Sequence, residues 1–262
     1  MIKKVLLTIL FLMPGLTVNA APIDLSSWSA LTLDFGGGQP AGSWSLGSGN
    51  TSVTQTINAD PSFFLNNLNQ TSYSIDGTWQ VNTTSDDDFM GFVFGYQNSS
   101  NFYLFDWKQN TQNNVYDGAD ATEGMTIKKM TGGTGDGLVD LSLAEFWENN
   151  VNLGDMTVLA QNHGTTMGWA DNVTYDFHLD FNTTAGEFSI EVKQGATSLW
   201  TQTVTDSTFS SGQFGFYNNS QNAVQYAGFE QTGGVLVPEP TTLALLGLGL
   251  FGLGFNKRKR LQ

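Results

Sequence analysis

DDDFMGFVFGYQNSSNFYLFDWKQNTQ, residues 86–112, holds three consecutive carboxylates, two aromatic runs and a polar turn between the runs. Asp86, Asp87 and Asp88 stop abruptly at the apolar run beginning with Phe89, and Asn98-Ser99-Ser100-Asn101 turns that run into a second one, Phe102 to Trp107. Charge and core therefore meet at one edge. Adjacent carboxylates repel one another, which raises their pKa values and lowers stability unless a partner is present. A hard cation relieves that repulsion by taking oxygen ligands at about 2.3–2.6 Å, the calcium range. The triplet lacks the D-x-[DN]-x-[DN]-G order of an EF-hand loop. Two readings stand at this point: an acidic turn in solvent, and a calcium site on Asp86, Asp87 and Asp88.

Outward from this stretch the hydrophobic pattern has period two. Tyr175, Phe177, Leu179 and Phe181 alternate with Asp176, His178 and Asp180, and Phe188, Ile190 and Val192 alternate with Ser189, Glu191 and Lys193. The turn chemistry of Asn182-Thr183-Thr184-Ala185-Gly186 joins them, which predicts an antiparallel hairpin with one buried face. Similar runs at 52–58, 74–82, 89–96, 102–109, 124–130, 197–204, 213–217 and 225–231 predict ten or so strands, hence two packed sheets in an all-β jelly-roll sandwich. Only Leu141 to Asn149 carries a helical period, and no internal repeat of fixed length is present.

The ends of the chain read as processing signals. Of 10 basic residues, Lys3, Lys4, Lys257, Arg258, Lys259 and Arg260 lie at the termini, so residues 21–237 hold four lysines against 23 acidic residues, a net charge of −19. That surface repels phosphate backbones, which argues against nucleic-acid binding. Lys3 and Lys4 precede the apolar run Val5 to Leu12, and Val18-Asn19-Ala20 supplies the small residues of a signal-peptide cleavage site, predicting a signal peptide over 1–20 cut after Ala20. At the other end Pro238-Glu239-Pro240 leads into an apolar run from Thr241 to Phe255 and then a basic cluster. The segment 237–262 resembles the bacterial PEP-CTERM sorting signal. That resemblance implies a Gram-negative envelope, a short C-terminal apolar helix as transient inner-membrane anchor, and processing by an exosortase. An ordinary C-terminal anchor is the alternative. With no Cys, an exported domain of this kind depends on core burial, with or without a metal.

The stretch at 86–112 resembles the C-terminal domain of thrombospondins. The matching residues are Asp86 to Phe89, Gly91-Phe92-Val93-Phe94-Gly95-Tyr96-Gln97, Ser99-Ser100, Phe102-Tyr103 and Trp107-Lys108-Gln109. Upstream, Gln55-Thr56-Ile57-Asn58-Ala59-Asp60-Pro61 and Gly77-Thr78 also match; downstream, Gly168-Trp169-Ala170-Asp171 and Tyr175 do. The resemblance covers 43–232, with 21–42 as a preceding segment. It implies a concanavalin-like or L-type-lectin-like jelly roll that binds Ca2+, with Asp171 beside Asp86, Asp87 and Asp88 as candidate ligands. It also implies a non-enzymatic role in adhesion or matrix contact outside the cell. The expected partners are then an extracellular polysaccharide or a surface glycoprotein. The chain departs from the family in having no Cys for its disulfide, no upstream calcium-binding repeats or epidermal-growth-factor-like modules, and Asp106 in place of an apolar residue before Trp107.

Other chemistry is sparse. His163 and His178 are the only histidines, and with no G-x-S-x-G present they read as structural. A carbohydrate-active enzyme, the alternative function, needs paired carboxylates in a groove. Glu145 and Glu148 sit three apart on the expected helix, where a solvated face is the ordinary reading, and Asp176 and Asp180 flank His178 on a strand face. The glycine-rich runs 36–38 and 132–137 lack the Lys-Ser/Thr of a phosphate loop and read as connections. Trp28, Trp44 and Trp147 are expected at the surface, where they would stack on sugar rings; Trp79, Trp107 and Trp200 are expected in the core.

Overall fold

The alternation of apolar and polar residues becomes fourteen strands in a computed structural model, which describes residues 22–36 and 39–237. Ala20, Gly37, Gly38, the Pro238-Glu239-Pro240 motif and the apolar run 241–255 lie outside the described residues. The strands are β1 (Ser29–Thr32), β2 (Trp44–Leu46), β3 (Ser52–Gln55), β4 (Ser62–Leu65), β5 (Gln70–Val81), β6 (Phe89–Asn98) and β7 (Asn101–Lys108). After them come β8 (Gly124–Thr131), the short helices α1 (Gly137–Asp140) and α2 (Leu143–Trp147), β9 (Met156–His163) and β10 (Thr174–Asn182). The last of the described strands are β11 (Glu187–Gln194), β12 (Thr197–Thr205), β13 (Gln213–Asn219) and β14 (Val224–Leu236). They form two seven-stranded sheets, β1-β4-β13-β6-β7-β8-β9 and β12-β11-β10-β5-β14-β3-β2, in which neighbouring strands pair antiparallel. The all-β sandwich is thus present, with four strands, the short β1, β2 and β4 and the longer β9, that the period-two pattern does not announce.

The inner faces of the sheets enclose an aromatic core. Phe92 of the first sheet meets Phe177 of the second at 5.1 Å between centroids, and Trp79 of the second stacks on Phe105 of the first at 5.7 Å, so side chains from both sheets interdigitate. Gly91 has no side chain because a Cβ there would collide with the Phe105 carbonyl of the neighbouring strand.

A second apolar cluster covers the outer face of the first sheet. Phe63, Phe89, Val93, Phe102, Leu104 and Tyr217 pack against Leu141, Ala144, Phe146 and Trp147 of the helical segment. Residues 102–108 are therefore buried on both faces, and their apolar run is nearly continuous. The two clusters together correct the expectations for several side chains. Trp147 is buried, in edge-to-face contact with Phe89, because it lies under the helical layer rather than on a surface. Trp28 stacks on Phe216 and Trp44 on Phe64, so neither is a free stacking platform; Trp200 is half-buried against the core, as Phe105 meets it at 6.3 Å. Glu145 and Glu148 are also buried: Glu145 closes a capping box with Ser142 and accepts from Asp155 N–H, while Glu148 accepts from Asp120 and Asn150 N–H. Buried polar groups need such partners, and here backbone amides of the covering loops supply them.

Asp106, the residue at odds with the family pattern, lies on this outer face with no solvent exposure and meets Lys128 Nζ at 2.7 Å. Burial pushes the carboxyl up and the ammonium down, and each opposes the shift of the other. Truncating the inner core should be more damaging than any surface change. Phe92→Ala is expected to destabilise the fold by about 3–5 kcal/mol in urea unfolding, the range for a fully buried Phe. A loss below about 1 kcal/mol would show that Phe92 does not bridge the two sheets.

Candidate metal centre

Phe89, the first residue of β6, is registered opposite Lys108, the last of β7, so the acidic segment entering β6 runs directly past a lysine side chain. Lys108 Nζ donates to Asp88 Oδ1 at 2.7 Å, to the Asp87 carbonyl at 2.7 Å and to Asp87 Oδ1 at 3.3 Å. The ammonium is fully buried, 5.2 Å from the Trp147 ring centroid and 5.6 Å from that of Phe89. Desolvation of this kind strengthens both the ion pair and the cation–π contacts. Asp88 is fixed further by its N–H, which donates to Gln221 Oε1 at 2.9 Å, and by its carbonyl, which accepts from Trp169 Nε1 at 3.1 Å.

Ligand oxygens of Asp86, Asp87 and Asp88 lie within 4.8 Å of one another, the only such group of His, Cys, Asp and Glu among the described residues. One ammonium among three carboxylates leaves the edge negative. Asp86 bears the excess: loss of solvent, and then the charge of Asp88, push its carboxyl up to about 6 against hydrogen bonds from Asn58 and the Asp87 backbone. All the donors are oxygens and they carry surplus negative charge, which suits a hard divalent cation rather than a soft one.

Asp171 is not brought into this group. It lies in the loop between β9 and β10, where Oδ1 accepts from Gln109 Nε2 at 3.2 Å, while Gln109 N–H donates to the Asp87 carbonyl at 3.2 Å. One residue, Gln109, therefore stands between the triplet and its expected fourth ligand. The participant missed by sequence reasoning is Lys108. It stands within the Trp-Lys-Gln match, and the period-two pattern that buries Trp107 points Lys108 to the other face, but only the helical layer makes that face an interior.

The remaining candidates fall elsewhere. His163 is wedged between Thr126 Oγ1 at 2.8 Å and Asn150 Oδ1 at 3.1 Å, and burial followed by the charge of Lys128 pushes it down to about 4, so it is a neutral structural side chain. His178 sits on the open face of the second sheet with Nδ1 2.7 Å from Asp76 Oδ1. Asp136 caps α1 through Leu138 N–H, and Asp140 accepts from Ser100, Thr134 and Gly135, so the glycine-rich run 132–137 is a connection.

The fold and this edge define a lectin-like β-sandwich with a carboxylate-rich rim. Residues 39–232 match the thrombospondin C-terminal region, and residues 236–259 match the PEP-CTERM protein-sorting motif. The chain belongs to the thrombospondin C-terminal family. It is 31% identical over 207 residues to thrombospondin-3b of Danio rerio, covering 77% of this chain and 22% of that protein. It is 33% identical over 181 residues to thrombospondin-2 of Gallus gallus, covering 67% of this chain and 15% of that one. The chain thus spans about a fifth of the length of the curated relatives it matches. Among solved structures, the exoplasmic/lumenal domain of VIP36 in its Ca2+/Man3GlcNAc-bound form superposes with a TM-score of 0.50 at 11% identity, covering 82% of this chain and 87% of that one. At that identity the likeness is one of fold. The sorting motif and the family together mark an exported or cell-surface protein. Among the described residues no helix is long and apolar enough to cross a membrane.

The raised carboxyl of Asp86 has a definite pH signature. Because the native state holds this proton more tightly than the unfolded chain, the stability it contributes is complete below pH 3.8 and is lost as the pH rises to about 6. Without divalent cations, wild-type stability is expected to fall relative to Asp86→Asn across that window, read from urea midpoints in chelator. Parallel curves would show that Asp86 feels no excess charge.

Proposed function

We propose that this protein is an exported, calcium-binding, non-enzymatic component of the cell surface or extracellular matrix that acts in adhesion or glycan binding. The observation that carries the reading is the convergence of three carboxylates at the start of β6 with only one ammonium among them, in a chain of the thrombospondin C-terminal family. Asp86, Asp87 and Asp88 would hold the Ca2+, and Asp171 lies one residue further out, tied to them through Gln109. Calcium would supply the positive charge that Lys108 alone does not, and so fix the edge where β6, β7 and the β9–β10 loop meet.

In the same reading residues 1–20 are removed after Ala20, and 21–42 lead into the sandwich of 43–232. Residues 237–262 anchor the chain transiently in the inner membrane of a Gram-negative bacterium until an exosortase acts at Pro238, Glu239 and Pro240. The partner is an extracellular polysaccharide or a surface glycoprotein. A carbohydrate-active enzyme is not favoured by any observation: Glu145 and Glu148 are taken up by backbone amides beneath the helical layer, not presented in a groove.

An ion that binds only the native state stabilises it by about 2.7 kcal/mol at a hundred times its Kd, about 5–11 °C in Tm for a domain of this size. Residues 21–237 are expected to show such a rise with added CaCl2, and the triple variant Asp86→Asn, Asp87→Asn, Asp88→Asn to lose it. Identical melting in calcium and in chelator would remove the metal from the proposal.

Lys108 supplies an independent check. Breaking a buried ion pair destabilises by about 3–5 kcal/mol because a charge is left uncompensated. Lys108→Met is therefore expected to melt well below wild type in chelator and to gain more from calcium than wild type does. An equal or smaller gain would place the ion away from the triplet.

A further inference from the structure

The ends of β7 and β8 and the β9–β10 loop enclose a polar cleft of about 390 Å3, next to the acidic edge but separate from it. Its volume falls within the range of about 300–1,000 Å3 usual for small-ligand sites. Its walls carry two amides, Gln109 and Asn110, two carboxylates, Glu123 and Asp171, and the hydroxyl residue Thr166, with Gly168 among them. Gly168 lies so close to Gln109 that a Cβ would collide with the Gln109 carbonyl, so the loop is seated directly on the end of β7.

These groups hold one another in place. Gln109 Nε2 donates to Asp171 Oδ1 at 3.2 Å, Asn110 Nδ2 donates to Gln109 Oε1 at 3.3 Å, and Gly168 N–H donates to Glu123 Oε1 at 3.3 Å. Each bond uses one atom of a planar group and leaves another: among the described residues Asp171 Oδ2, Glu123 Oε2 and Asn110 Oδ1 have no hydrogen-bond partner. The cleft is thus a preorganised set of acceptors on fixed planes, which lowers the ordering cost of binding.

Charge decides what such a set takes. The cleft lining includes no cationic side chain. The four lysines of the body are all committed elsewhere: Lys108 to Asp87 and Asp88, Lys128 to Asp106, Lys129 to Asp206 at 2.7 Å, and Lys193 to Glu191 at 3.6 Å. A uronate, sulfate or phosphate group entering the cleft would meet carboxylates with no counter-charge, whereas neighbouring hydroxyls of a neutral sugar would donate to them. We propose that this cleft is a saccharide subsite for uncharged hexose units, with Asn110, Glu123 and Asp171 accepting ligand hydroxyls. The inference rests on the glycan-binding part of the proposed function and adds a location and a charge class to it. Because Gln109 also bonds the Asp87 backbone, a cation at the triplet would stiffen one wall of the cleft without touching the sugar.

The test is affinity electrophoresis of residues 21–237, in calcium and in chelator, through gels containing dextran, mannan or galactan as neutral polymers and alginate as the polyuronate. Retardation by at least one neutral polymer and not by alginate is expected. Asn110→Ala and Glu123→Gln should each weaken it about tenfold, the effect of losing one hydrogen bond of about 1.4 kcal/mol. Both variants should keep the calcium-induced rise in Tm, which shows that they fold and that the triplet is intact. Undiminished retardation in both variants would move the site elsewhere, preferential binding of alginate would overturn the charge class, and no retardation by any neutral polymer would overturn the subsite. A missing Tm rise in wild type beside a normal loss in the variants would instead overturn the calcium reading and leave the cleft standing.

Discussion

The ammonium of Lys108 is the point where charge, core and loops are tied together. It sits without solvent between the acidic segment and the rings of Phe89 and Trp147, so a single side chain links the start of β6, the end of β7 and the helical layer. A buried cation of this kind is tolerated only when its donors are satisfied and a counter-charge is close. Asp88 meets that requirement. Asp86 has no ammonium of its own, and loss of solvent followed by the charge of Asp88 pushes its carboxyl up. The site therefore has a structural half, which Lys108 and Asp88 complete, and an unbalanced half on the solvent side.

The outer helical layer is what makes this division possible. In a two-layer sandwich the outer face of β7 would meet water, and Asp106 and Lys108 would be ordinary surface charges. Here Leu141, Ala144, Phe146 and Trp147 cover that face, and both charges need partners inside the protein. Lys128 answers Asp106 across the β7–β8 pair, and Lys108 answers the triplet. β7 thus carries one member of each of two buried ion pairs, both at 2.7 Å, on the same covered face, and Gln109 and the loops beyond it follow directly from that strand end.

How much of this was legible in the sequence follows from which faces are wet. β10 and β11 alternate cleanly because one side of their sheet is open to solvent, and the hairpin with its Asn182–Gly186 turn is readable from period and turn residues alone. β4 is buried at all four positions and β9 is mostly half-exposed, so neither offers a period to detect. The helical layer was hidden for a related reason. Glu145 and Glu148 mark an exposed helix face by every local rule, and only the loops that donate to them make burial possible. Of the site, the carboxylate triplet was plain, the sandwich followed from the period-two runs and its lectin-like form from the resemblance, and Lys108 was hidden because a lysine after a tryptophan at a strand end normally reaches water.

The same accounting of cations bears on what the surface can recognise. A body carrying −19 between residues 21 and 237 already disfavours anions at a distance, but long-range repulsion is screened within about 8 Å at physiological salt. Contact chemistry decides the rest, and there the four lysines are all engaged. Among the described residues an acidic polymer would find no lysine without a carboxylate partner, and a divalent ion held at the triplet would offer it a positive centre. Neutral polymers face no such barrier at the adjoining cleft, where fixed carboxylate and amide oxygens accept hydroxyls without counter-charge. On the proposed function the two classes would separate in space, anions meeting a bound ion at Asp86–Asp88 and neutral sugars the oxygens of Asn110, Glu123 and Asp171, with Gln109 as the physical link between the two places.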